Sequence, residues 1–148
     1  MNLYEKITDI KTELMSLLTQ GVYPEEIEQF IIGEKFRMSG KIDKPILWVV
    51  PLPADTSDDT FANNEYWKWE FAIVSIVKAH DDLDGQPRAE KIALAASMII
   101  IQNRTLNGKI KDSIRKSFTP AYDKIINQDE SLWGSAVGIE LRFFHRDV

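Results

Sequence analysis

Two short clusters hold side chains able to bind a metal ion or move a proton. His80, Asp81 and Asp82 stand together, and Asp55, Asp58 and Asp59 share one acidic stretch. An imidazole with two carboxylates can ligate a divalent ion, and grouped aspartates suit calcium. The spacing argues against both. Adjacent side chains on a strand diverge, so the first cluster needs a second ligand set. The only other histidine is His145, which would come near only if the strands carrying the two histidines pair. The second cluster lacks EF-hand spacing. A strand end entering a polar turn and a solvated acidic loop account for these residues without a metal. The chain has no phosphate-binding glycine loop, no Gly-x-Ser-x-Gly and no His-Glu-x-x-His. It has no cysteine, which removes disulfides, thiolate metal sites and cysteine nucleophiles together. The expectation is a protein with no catalytic residues, no cofactor and no resident metal. A small metal-dependent hydrolase built on His80, Asp81 and Asp82 is the alternative.

Aromatic residues form the stronger signal. In "EYWKWEFAIVSIVKAHDD", residues 65–82, alternation sets Trp67, Trp69, Phe71, Ile73, Ser75 and Val77 on one face of a strand. Tyr66, Lys68, Glu70, Ala72, Val74 and Ile76 take the other. The first half is one-sided and the second half is apolar on both faces, so the strand should pass from a solvent edge into a covered layer. Indoles on a sheet face can stack bases or sugars. A net charge of −5 argues against a general nucleic-acid binder, which is usually basic. Tryptophan is also enriched at protein interfaces. The candidate contact residues are therefore Tyr66, Trp67 and Trp69 on this strand, Asp58, Asp59 and Phe61 in the loop before it, and Phe144 and His145 at the far end of a later strand. Trp48 and Trp133 are expected in the core.

The elements that must position these residues follow from periodicity. The chain has 148 residues, most simply one domain, and that length buries roughly 70% of the unfolded surface. Its first residues do not read as a signal peptide, and its longest apolar run, 92–101, is too short to span a bilayer, so no membrane partner is expected. The absence of cysteine fits a protein made in a reducing cytosol. Leu3, Ile7, Ile10, Leu14 and Leu17 make one helical face, with Asn2 as cap and Gly21 as stop. Pro24 and three glutamates suggest a short helix ending near Ile32. "PILWVVPLP", residues 45–53, reads as a buried strand delimited by prolines, and 54–64 as a long acidic loop. Residues 81–85 read as a turn and Pro87 as the opening of a buried helix reaching about 103. Residues 109–127 show no clean period, and Pro120 argues against one continuous helix. Residues 133–147 form a strand whose second face, Gly134, Ala136 and Gly138, is nearly bare. The sum is α+β: one antiparallel or mixed sheet of four to five strands, packed on one side by two main helices.

The order of these pieces resembles the tail terminator proteins of tailed bacteriophages and related viruses, small neck proteins that cap the tail tube. The matching parts are the N-terminal amphipathic helix, "PILWVVP" at 45–51, a polar loop, "WEFAIVSIVKAHDD" at 69–82, "RAEKIALAASMIIIQN" at 88–103, "LNGKIKDS" at 106–113 and "WGSAVGIELRF" at 133–143. The resemblance implies a homo-hexameric ring that stops tube polymerisation and joins tail to head. It implies three partners: further copies of this chain, the tail tube protein, and a head-completion or connector protein. DNA would pass through the ring without specific binding, and the protein would be made in the host cytoplasm and end in the virion. Another neck component, such as a head–tail joining or tail-completion protein, would share the same assembly logic.

Overall fold

The structure, a computed structural model, describes residues 1–33, 43–57, 64–122 and 131–146. Its elements run α1 (Leu3–Gln20), β1 (Gln29–Ile32), β2 (Ile46–Ser57), β3 (Glu65–Lys78), α2 (Asp82–Gln102), β4 (Asp112–Thr119) and β5 (Leu132–His145). The five strands form one mixed sheet in the order β1-β2-β3-β5-β4. Only the β1–β2 pair is parallel. The arrangement is α+β, as the sequence implies.

α1 forms because its start is capped from both sides. The Asn2 side chain accepts from the Glu5 amide at 2.8 Å, and the Glu5 carboxylate accepts from the Asn2 amide at 3.0 Å. Its buried stripe is Ile10, Leu14 and Leu18. α2 begins at Asp82, earlier than Pro87 suggests, because the Asp81 carboxylate accepts from the Asp84 amide and caps the first turn. Residues 81–85 are thus a cap and a first turn, and Pro87 lies inside the helix.

Both helices pack on one face of the sheet. Ala89, Ile92, Ala93, Ala96 and Ile100 of α2 join Ile10, Leu14 and Leu18 of α1 over Leu47, Val49, Phe71, Ile73, Val77, Val137, Ile139 and Leu141. The small side chains bring α2 close to the sheet, and buried Ser75 of β3 donates directly to the Ala89 carbonyl. The opposite face carries a second cluster of Ile46, Trp48, Val50, Val74, Ile76, Leu132 and Ala136, with Leu52, Ala72 and Tyr122 at its margin. The expectation that β3 becomes apolar on both faces along its length is met: Val74 and Ile76 are as fully buried as Ile73 and Val77.

Two expectations are corrected. Residues 29–32 are a strand, not the end of a helix. Their apolar backbone completes a ladder with Ile46–Val49, and this long-range pairing outweighs the local helix signals of Pro24 and its glutamates. Glu25 instead grips Arg88 of α2 through two hydrogen bonds of 2.8 and 2.6 Å. Second, β2 runs through both of its prolines to Ser57, so the loop expected from residue 54 starts later. Among the described residues β1 reaches only to the level of Val49, so no described ladder on that side requires the missing N–H groups. The register shifts between Pro51 and Ala54, a bulge that absorbs the irregularity. Residues 112–119, for which Pro120 argued only against one continuous helix, form a strand at the edge of the sheet. The run Arg115-Lys116-Ser117 and a register shift between Arg115 and Ser117 obscure its alternation.

The bare face of β5 is filled by side chains. A methyl group on Gly138 would lie 2.5 Å from the Ser117 hydroxyl and 3.1 Å from the Glu70 carboxylate. Trp133 lies against the first turn of α2, where a methyl group on Gly85 would sit 2.0 Å from its ring. Gly85→Ala is therefore expected to destabilise the fold by about 1–3 kcal/mol through overpacking, measurable by urea denaturation. The Glu25–Arg88 pair, with each side chain 30% exposed, is worth about 1 kcal/mol or less after solvent screening. The Arg88 hydrogen bonds hold the Glu25 pKa below its ordinary 4.5. A lowered folded-state pKa gives stability present above 4.5 and lost as pH falls through the depressed value. Arg88→Ala should accordingly lower Tm at pH 7 and make no difference at the acid end of a pH series.

Candidate functional site

The candidate residues gather at one end of the sheet, where the start of β3 lies between the end of β2 and the end of β5. The ladder pairs Tyr66 with Phe144, Trp67 with Phe143 and Glu65 with His145, while Thr56 and Ser57 flank Trp67 and Tyr66 on the other side. Strand alternation then sorts the side chains.

On the face away from the helices, the Tyr66 and Phe144 rings have centroids 5.0 Å apart. The Lys111 ammonium stands 5.6 Å from the first and 5.1 Å from the second, within cation–π range. Phe144 is 46% exposed. Beside this group lies a charged network on the same face. Glu140, only 8% exposed, receives Arg142 at 2.8 Å and Lys116 at 3.8 Å. The Glu140 hydrogen bond raises the Arg142 pKa further above its ordinary value. The arrangement offers flat aromatic surface rimmed by fixed charge.

On the helix face, Trp67 stacks nearly parallel on Phe143, centroids 6.4 Å apart and planes 10° from coplanar. Trp67 is partly exposed, yet its indole Nε1 is buried and has no hydrogen-bond partner among the described residues. Trp69 is different. It is 6% exposed, its Nε1 donates to the Leu52 carbonyl at 2.9 Å, and Lys11 of α1 stands over its ring. Trp69 is thus a core residue that closes the β2 bulge against α1, and the expectation of a free contact surface there is corrected. His145 is also buried, because its strand position turns it toward the helix layer. Phe144 and Tyr66 remain at the surface, with the edge of Trp67. Asp58, Asp59 and Phe61 lie outside the described residues.

The His80 cluster does not converge. His80 is exposed beyond the end of β3, and Asp81 is occupied as the α2 cap. The Asp82 side chain lies outside the described set. The strands bearing His80 and His145 do pair, but antiparallel, with Lys78 opposite Leu132 and Glu65 opposite His145. Fourteen residues of ladder at about 3.4 Å each keep the two imidazoles on the order of 50 Å apart. Among the described residues no group of three His, Asp or Glu side chains gathers around a common point. An open depression of about 500 Å³ beside His80 is lined by Asp43, Lys78, Asp84, Arg88 and Ser131. There Arg88 is already paired with Glu25 and Asp84.

Two surface features escaped the sequence. Lys111 reaches the aromatic pair because its amide is tied to the Arg142 carbonyl at 2.9 Å, a contact between residues far apart in the chain. Phe118, on β4, is 39% exposed, and the irregular period of 109–127 hid the strand that carries it. No helix among the described residues is long and apolar enough to cross a membrane. No family profile matches the chain, and no curated protein matches it in sequence.

The two aromatic environments predict opposite behaviour. Trp69→Ala should cost about 3–5 kcal/mol of folding stability. Phe144→Ala, at a half-exposed position, should cost about 1 kcal/mol or less. Parallel chemical denaturation of the two variants checks the assignment, and equal losses would place Phe144 in the core.

Proposed function

We propose that the chain is a structural virion protein of the tail terminator type, which forms a ring on the end of a tail tube, halts its polymerisation and joins the tail to the head. The observation that carries this reading is the order and layering of the elements. An N-terminal helix, a hairpin of two long strands, a second helix on the same face and a returning hairpin follow one another as they do in the resemblance described above. The surface is consistent with that role. Its most elaborate feature is the Tyr66–Phe144–Lys111 group, which suits a protein contact, since aromatic residues are enriched at interface centres.

In this reading the chemistry is assembly. The subunit contacts further copies of itself, the tail tube protein and a head-completion or connector protein. A specific joint buries roughly 800 Å² per partner, and closing a ring makes every joint depend on its neighbours. The acidic balance of the chain, −5, limits sticking of DNA in the channel, because like charges raise the potential along its path. Neither a bound cofactor nor a catalytic step is required.

Native mass spectrometry of the purified chain, with electron microscopy of the chain mixed with growing tubes of its tail tube protein, tests the proposal. The expected results are a closed ring, hexameric by the resemblance, and tubes that stop lengthening once capped. A chain that stays monomeric at high concentration and leaves tube length unchanged would overturn it. Phe144→Ser should leave the monomer folded while reducing ring formation or capping at least tenfold.

A further inference from the structure

The turn between α2 and β4 holds the pair Asn107-Gly108, and both residues are exposed. Its backbone is unusual. Leu106, Asn107 and Gly108 have φ of 47°, 55° and 83°, successive residues in the left-handed region that side chains other than glycine's disfavour. Leu106 is fully buried, and its carbonyl accepts from the Lys109 amide at 3.2 Å. The core therefore fixes the turn from below and leaves Asn107 and Gly108 at its tip.

An asparagine followed by glycine is the pair in which backbone most readily attacks side chain, because no Cβ shields the next amide nitrogen. The Gly108 nitrogen would add to Cγ of Asn107, the Cγ–Nδ2 bond would break, and ammonia would leave with the proton lost by the Gly108 amide. Water then opens the succinimide ring at either carbonyl and leaves aspartate or isoaspartate. Both reacting groups are engaged in the fold. The Gly108 amide donates to the Thr105 hydroxyl at 3.2 Å, and Nδ2 of Asn107 donates to the Glu13 carboxylate of α1. Attack requires local opening that frees them.

Glu13 does not act alone. Nζ of Lys6 donates to the Lys109 carbonyl, and the Asp9 carboxylate pairs with the Lys109 ammonium at 3.2 Å. Lys6, Asp9 and Glu13 follow at steps of three and four, so one face of α1 lies along residues 107–109. We propose that Asn107 is a site of spontaneous deamidation whose rate is set by the docking of α1 on this turn, and that the product loosens the same docking. A carboxylate at position 107 would meet Glu13 where an amide had donated to it. A charge-assisted hydrogen bond is thereby exchanged for a like-charge contact. Isoaspartate also adds a backbone methylene to a turn whose dihedrals are already closely set.

Peptide mapping by mass spectrometry, on protein aged in mildly alkaline buffer, reads the conversion at Asn107. The folded chain is expected to convert at least about tenfold more slowly than the chain held in urea. Glu13→Ala should lose most of that protection. Glu13→Gln, whose amide oxygen still accepts from Nδ2, should keep it. Gly85→Ala weakens the fold at the other end of α2 and should leave the rate at that of the parent chain. Equal acceleration by Gly85→Ala and Glu13→Ala would overturn the proposal, since global unfolding would then be the gate. A folded chain that converts as fast as the unfolded one, or a rate unmoved by Glu13→Ala, would overturn it too. Asn107→Asp, made directly, should speed amide hydrogen exchange along α1 severalfold and leave β3 and β5 unchanged. Exchange in α1 equal to that of the parent chain would sink the coupling.

Discussion

The antiparallel ladder between β3 and β5 is the constraint on which the rest of the molecule depends. It pairs fourteen residues on each side without a register shift, whereas both neighbouring antiparallel ladders contain one. Every other element is placed by it. α2 connects β3 to β4 and lies back over the ladder, filling the helix-side core with alanine and isoleucine. β2 and β4 add to its two outer sides, and β1 can only follow β2. The period of two along this ladder also divides the surface. Odd-numbered residues from Trp67 to Val77 belong to the helix layer, and even-numbered ones to the other face.

The same ladder sets what the chemistry-bearing residues can do. Antiparallel pairing sends His80 and His145 to opposite ends, which separates the only two imidazoles in the chain. It also brings Tyr66 beside Phe144 and lets Lys111 settle over both. Opposite-face neighbours of these residues, Trp67 and Phe143, stack against each other and close the helix-side core at its end. One short stretch of paired strand therefore produces a surface on one side and a core boundary on the other.

Much of this was legible in the sequence. The alternation of 65–77 and 133–143 placed two central strands, and the apolar stripes of 3–17 and 92–101 placed both helices. The capping residue Asn2 and the helix stop at Gly21 were also readable, because caps are local. What could not be read depended on partners far along the chain. Residues 29–32 carry helix-favouring neighbours and become a strand only because Ile46–Val49 offer an edge. Pro51 and Pro53 read as strand ends, since nothing local reveals that the strand continues through them by way of a bulge against β3. Trp67 and Trp69 look equivalent in sequence, being on one face two residues apart. They differ because the bulge at Leu52 and Pro53 presents a carbonyl to one indole and not to the other.

The central pairing also has a cost during synthesis. β3 leaves the ribosome well before β5, with a whole helix and an edge strand translated in between. Until β5 arrives, Phe71, Ile73, Val74, Ile76 and Val77 lack their middle partner on one side, and loop-closure entropy delays the contact. The nascent chain thus passes through an interval in which its most apolar strand is half unmated and prone to aggregation. A protein of this topology should profit from a chaperone that shields that strand until the chain is complete.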